Sequence, residues 1–327
     1  MLGEYGKGLK PPTYHEVRVS YLKKEIYNIQ ASLEKYKVEL EKWGCTLMCD
    51  GWTYGKGRSV TKFLVNSPSG TMFLKSINIS NVVKDAKQMF ELLDSVIEEI
   101  GEDNVMQVVT DGATNFVAAG MMLEEKRTKL FWSPCAAHCL DLILEDISEL
   151  LGFYNTMANA QKVTTFIYKH IWDLNLYRKY SNGKELAQPV VTRFATALLT
   201  LQCIAQYKNA LRGMFVSKER TTSKHASKTE GKQVVGIVLS DDRFWKSIQY
   251  CLKCVTPLVK LLRLVDGDSK PTMSYIYEAI DRAKEQIAAN FKNEESRYKK
   301  VWKIIDTRWN LQLHRPLHVV AYYLHPK

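Results

Sequence analysis

Between residues 17 and 43 the apolar side chains recur in steps of three and four: Leu22, Ile26, Ile29, Leu33, Tyr36, Leu40 and Trp43. That spacing lines one stripe of an α-helix. Lys, Glu and Gln fill the other faces, and Gly44 stands where such a helix stops. The stripe needs a cover, and packing on the domain that follows is the expectation. From residue 45 the period shortens to that of strands, in three runs at 45–52, 59–66 and 72–80. Their links, "TYGKGR" and "NSPSG", are short and made of turn residues. Short links predict antiparallel neighbours.

The helical period returns in "DAKQMFELLDSVIEEIG", with Met89, Leu92, Leu93, Val96, Ile97 and Ile100 on one face. Residues 104–111 read as a strand, 114–126 as a helix and 130–133 as a short strand. Residues 135–151 read as a helix with Leu140, Ile143, Leu144, Ile147, Leu150 and Leu151 on one side. The order β-β-β-α-β-α-β-α predicts one mixed sheet with helices packed on it. After about residue 153 strand signals fade, and four long segments read as helices. Between the first two lies "SKERTTSKHASKTEGKQ", which is polar and predicts a mobile loop. The expected organisation is a linker and amphipathic helix over 1–42, an α/β domain over 43–152 and an all-helical domain over 153–327.

Composition narrows the setting. The chain has 327 residues, 46% of them hydrophobic, enough for two cores. No run of 18 apolar residues predicts a membrane span, and the first residues lack the apolar core of a secretion signal. Seven cysteines, an odd number, do not outline a disulfide framework and favour a reducing compartment. The net charge of +11 is unevenly spread. Residues 1–152 carry 17 Lys and Arg against 21 Asp and Glu, while residues 153–327 carry 29 against 14. A basic second half suits a polyanion, although lysine-rich helices are also often merely solvated.

Two apolar strand patterns each end on an aspartate followed by a glycine: "GCTLMCDGWT" at Asp50 and "NVMQVVTDGATN" at Asp111. Asp-Gly is ordinary turn chemistry. Carboxylates at the rigid ends of neighbouring strands are also placed to hold divalent cations, and a metal pair serves phosphodiester chemistry. Three strands, a helix and a fourth strand, with acids on strands 1 and 4, is the ribonuclease H-like arrangement. Other candidates are weaker. Cys135/His138 and Cys251/Cys254 have metal-ligand spacing, yet each pair sits in an apolar helical pattern where cysteine is usually a small buried residue. Lys218, Arg220, Lys224, Lys228 and Lys232 form a basic loop suited to phosphates, or to solvent. Arg308 and Trp309 are candidates for phosphate and base contact, with packing as the plainer reading. No Gly-rich phosphate loop is present.

The stretches "GKGLKPPTYHEVRVSYLKKE", "CDGWT", "VVTDGATNFVAAGMML", "LFWSPCAAHCLDLILEDI", "TRFATALLTLQ", "LLRLVDGDSKPTMSYIYEAIDRAKE" and "WKIIDTRWNLQLHRPLHVVAYYLHP" occur in this order. In order and spacing the chain resembles the hAT superfamily of DNA transposases, in the plant group that carries a domain of unknown function. The resemblance implies a ribonuclease H-like α/β domain followed by an all-helical insertion domain. It makes Asp50 and Asp111 the first two catalytic acids and ligands of Mg²⁺ or Mn²⁺. It makes Cys135 and His138 the family's CxxH element. Arg193 and Phe194 fall where many members have an Arg-Trp pair that handles a hairpin end. The phenyl ring would stack with less area than an indole. Lys218, Arg220 and Lys224 are then expected on DNA. The family's third acid, a glutamate on a helix after the insertion, matches no residue here; Glu145 and Asp146 read as surface acids. The expectation is therefore a nuclear, DNA-binding, transposase-derived chain that does not cut DNA alone and oligomerises only through segments outside this sequence. The alternative is a domesticated nuclear scaffold that acts through protein contacts without DNA chemistry.

Overall fold

The computed structural model describes residues 8, 11–55, 57–81, 84–187, 194–239, 242–267 and 273–324. The chain divides into two compact units, Met1–Ser133 and Pro134–Lys327. The boundary expected after residue 152 lies within the second of them.

The first unit opens with a π-helical turn, Glu16–Tyr21, that runs into α1, Leu22–Trp43. Gly44 ends this helix at φ +71°, and a Cβ there would meet the Met106 side chain at 2.7 Å, so the sharp exit into the first strand requires glycine. The expected cover for the apolar stripe holds only at its end. Leu40 is buried, while Leu22, Ile26, Ile29 and Trp43 are exposed. The helical period was correct; it did not show that most of the stripe faces solvent.

Three strands follow: β1 (Cys45–Thr53), β2 (Ser59–Ser67) and β3 (Gly70–Asn78). Then come α2 (Ala86–Ile100), β4 (Val105–Thr110), α3 (Thr114–Lys126) and β5 (Phe131–Pro134). Asp85 caps α2 by accepting a hydrogen bond from the Gln88 N–H at 2.8 Å. The sheet order is β3-β2-β1-β4-β5. β1 and β2 pair antiparallel, as do β2 and β3, and β1 and β4 pair parallel. This is the ribonuclease H-like mixed sheet that the strand order predicts.

Side chains alternate across the sheet. Leu47, Cys49, Phe63, Val65 and Val108 form a buried core with Met89, Leu93, Val96 and Ile97 of α2 and Phe116, Ala119 and Leu123 of α3. Helix α3 lies close to β5 because Gly120 has no side chain. A Cβ at that position would come within 2.3 Å of the Trp132 ring.

Among the described residues the second unit is helical. α4 (Ala136–Ser148) ends before the expected Leu151, and α5 (Leu151–Lys169) begins there, with Leu151 itself exposed. α6 (Ile171–Tyr180), α7 (Phe194–Gln206) and α8 (Lys208–Val216) follow. The segment expected to be a mobile loop is instead folded. It holds a short helix α9 (Lys218–Thr221), a series of turns and the start of α10 (Thr229–Leu239). α11 (Arg243–Val265), α12 (Ile276–Asn290), α13 (Lys299–Arg308) and α14 (Pro316–Leu324) complete the unit. One apolar core joins most of these helices, with Ile143, Val163, Tyr177, Phe215, Ile248, Leu258, Ile287 and Ile305 fully or almost fully buried.

Candidate functional site

The parallel register of β1 and β4 runs Thr46 with Gln107, Leu47 with Val108 and Met48 with Val109, a constant offset of 61 residues. Asp50 stands two residues beyond Met48 in β1, and Asp111 two residues beyond Val109, directly after the last residue of β4. The side chains on this face alternate with the buried set, so Thr46, Met48 and Asp50 share a face with Gln107 and Val109. Thr46 Oγ1 donates to Gln107 Oε1 at 3.3 Å, and Gln107 Nε2 donates to Ser133 Oγ at 2.7 Å. These two bonds tie β1, β4 and β5 together on this face.

Cys49, the residue before Asp50, is buried on the opposite face of β1. Burial raises its thiol pKa well above the ordinary range, and the charges of Asp111 and then Asp50 push it further. Both carboxylates therefore act on the same buried sulfur.

Each acid has a distinct setting. Asp50 is exposed and stands across from Lys62 of β2. The Lys62 ammonium lies 4.0 Å from the centre of the Trp52 ring, and Trp52 meets Tyr54 edge-on at 5.6 Å. Asp111 is half-buried, and its Oδ1 accepts the Ala113 N–H at 2.8 Å, the turn chemistry expected of Asp-Gly. A short relay holds its backbone: Trp132 Nε1 donates to Thr110 Oγ1 at 3.1 Å, and the Thr110 hydroxyl donates to the Asp111 carbonyl at 2.9 Å. In the sequence Trp132 reads as a core residue, and nothing there singles out Thr110.

Hard oxygen donors at two rigid strand ends fit Mg²⁺ or Mn²⁺ in kind. Among the described residues, however, no third acid, histidine or cysteine joins Asp50 and Asp111 in a ligand cluster.

The other sequence candidates separate. Cys135 is the residue before α4 and His138 lies in its first turn, both half-buried in the second unit. Cys251 and Cys254 are buried free thiols of α11, with burial raising them to about 11 and about 12. They join no ligand cluster with Cys135 and His138 among the described residues, so their metal-ligand spacing is that of small core residues.

Arg193 lies outside the described residues, as does the side chain of Phe194. Lys218 and Lys224 are exposed. Arg220 is not a surface phosphate contact: it is 1% exposed and pairs with buried Asp173 at 3.0 Å. Arg308 is also engaged, donating to both oxygens of Asp146 at 2.6 and 2.8 Å. Asp146 is therefore an ion-pair partner that ties α4 to α13 rather than a free surface acid. Trp309 packs edge-on against Tyr277 at 4.7 Å.

No curated protein matches this chain. Residues 12–163 match the family model described as Domain of unknown function (DUF659), a domain found in hAT-like transposase-related proteins.

Proposed function

We propose that this chain is a DNA-binding protein derived from a hAT transposase, in which Asp50 and Asp111 hold a Mg²⁺ or Mn²⁺ ion. The observation that carries the reading is the β1–β4 register. It pairs β1 with β4 in parallel up to two residues before each acid, which supports placing Asp50 and Asp111 together. The family match over the same residues supports it. Lys62, Trp52 and Tyr54 beside Asp50 add a cation and aromatic faces of the kind that contact phosphate and stack on unpaired bases. When bound, the ion would polarise a phosphate oxygen.

Two carboxylates hold such a cation weakly. Without a third acid they do not complete a two-metal centre, so the 327-residue chain is expected to leave transposon-end DNA uncut in Mn²⁺. DNA as the partner implies the nucleus as the place of action.

The test is calorimetric titration of Mn²⁺ and Mg²⁺ into the chain and into Asp50→Asn and Asp111→Asn. Weak binding that either substitution abolishes supports the site. Identical weak binding in all three would remove it. DNA cleavage abolished by Asp111→Asn would overturn the expectation of inactivity. Absence of any DNA binding would favour the scaffold reading.

A further inference from the structure

The folded segment expected to be a mobile loop contributes His225 to a ligand cluster. His170 precedes α6, Asp173 lies in its first turn, and His225 follows α9 in the folded segment. One ligand atom from each lies within 4.8 Å of the others. Asp173 is fully buried; its Oδ1 is ion-paired with Arg220, while its Oδ2 and His225 Nδ1 are buried with no hydrogen bond. Buried polar atoms in folded proteins are almost always hydrogen-bonded, so two such atoms side by side need a cause.

The distances suggest one. His225 Nδ1 stands 3.6 Å from Asp173 Oδ2. That is too long for a hydrogen bond. It is close to the roughly 3.3 Å between ligand atoms when a tetrahedral ion makes bonds of about 2.0–2.1 Å. His170 is oriented as a ligand would be. Its Nδ1 lies 3.0 Å from the Phe166 carbonyl, which leaves Nε2 as the free nitrogen. Trp172 stacks on the His225 ring at 5.9 Å and 9°.

Arg220 secures the arrangement from behind. Its guanidinium sits between the rings of Phe166 and Phe215, pairs with Asp173 Oδ1 and reaches the His225 carbonyl at 3.5 Å. Gly231 leaves room for this, since a Cβ there would meet that carbonyl at 2.2 Å.

We infer that His170, Asp173 and His225 form a binding site for a first-row transition ion of the zinc type, with a fourth position for water. Two imidazoles and one carboxylate are an ordinary donor set for such an ion. Arg220 also decides the kind of metal. It already balances the Asp173 charge, so the site offers little to Mg²⁺ or Ca²⁺, which depend on carboxylates. An ion whose affinity comes from imidazole nitrogen keeps its main donors.

The test uses the full chain carrying Asp50→Asn and Asp111→Asn, free of any affinity tag, so that the first site cannot contribute. Zn²⁺ is titrated in excess Mg²⁺ and the bound metal is measured by mass spectrometry after gel filtration. Co²⁺ is used in parallel for its visible spectrum. The expected result is roughly one ion per chain and an intense tetrahedral Co²⁺ band. His170→Gln and His225→Gln should each weaken binding by about tenfold or more, with helical circular dichroism retained. His225 is on a partly exposed turn and its substitution leaves the Asp173–Arg220 pair intact. If one variant unfolds, the other and the Co²⁺ spectrum decide. No retained zinc, an octahedral Co²⁺ spectrum, or binding unchanged in a folded variant would overturn the site and leave a buried ion pair.

Discussion

At the scale of single residues, the smallest side chains exert tight control. Gly120 permits contact between α3 and β5, because a methyl group would lie 2.3 Å from the Trp132 ring. Gly120→Ala is expected to lower stability by about 1–3 kcal/mol, the usual cost of forcing volume into a packed core. A urea midpoint unchanged from the parent chain would show that α3 can move away at no cost. Trp132 matters beyond its bulk. Through Thr110 it fixes the backbone of Asp111. Trp132→Phe keeps most of the packing but leaves the buried Thr110 hydroxyl short of a donor, a loss of about 1 kcal/mol. If Asp111 binds a cation as proposed, Mn²⁺ affinity should fall in the same variant. A fall in stability with affinity intact would separate the two roles. None of this was legible in the sequence, where Gly120 and Trp132 lie in different elements and only folding brings them together.

At the scale of elements, α2 and α3 are joined by charge as well as by core. Arg127, buried just past the end of α3, donates from Nε to Asp94 at 2.9 Å and reaches Glu102 at 2.6 Å, while Lys126 donates to Asp94 at 2.7 Å. Burial alone would raise the Asp94 pKa, but the hydrogen bonds from Lys126 and Arg127 outweigh it and hold the carboxyl below its usual range. A carboxyl lowered in the folded state contributes stability above its unfolded pKa, about 3.9. That contribution is lost as pH falls through the lower folded value. Asp94→Ala should therefore cost stability at neutral pH, about 1.5–3 kcal/mol, because it removes charge-assisted hydrogen bonds from Arg127 and Lys126 while Glu102 still pairs with the guanidinium. It should also flatten the acid limb of the stability–pH curve below about pH 4. An acid limb identical to the parent's would show that Asp94 is not the group responsible. Sequence periodicity placed α2 and α3 closely, and it found the Met89, Leu93, Val96 and Ile97 face. It did not show that an acid at 94 sits within that face, because a helical pattern counts apolar positions and says nothing of a distant cation that makes burial tolerable.

At the scale of the whole chain, the uneven charge bears on partners. The basic residues concentrate after position 152, and Lys218 and Lys224 are exposed there. If these lysines meet DNA phosphates, affinity falls steeply with salt as counterions are released. Lys218→Ala with Lys224→Ala should reduce the slope of log affinity against log salt by roughly two, at about 0.9 per lost phosphate contact. A slope unchanged in the double variant would place the DNA elsewhere. Arg220, by contrast, should not behave as a DNA contact, since it is internal and ion-paired. Arg220→Ala is expected to unfold the segment around His225 before it weakens any surface interaction.

The amino-acid sequence by itself determined the order of strands and helices, the mixed sheet, the helical second half and the two acids at strand ends. These follow from local periodicity and from short links that leave few ways to connect neighbours. Tertiary structure decided the rest. The parallel pairing of β1 with β4 at an offset of 61 residues ends two residues short of Asp50 and Asp111, and no local pattern specifies a register between strands so far apart. The segment 217–233 looked like a solvated loop because it is polar. It is folded because Arg220 finds a buried carboxylate, and the two histidines beside that carboxylate come together only then. His170 and Asp173 stand three residues apart, at ligand spacing, but His225 lies 55 residues further on from His170. A site assembled across that distance depends on packing.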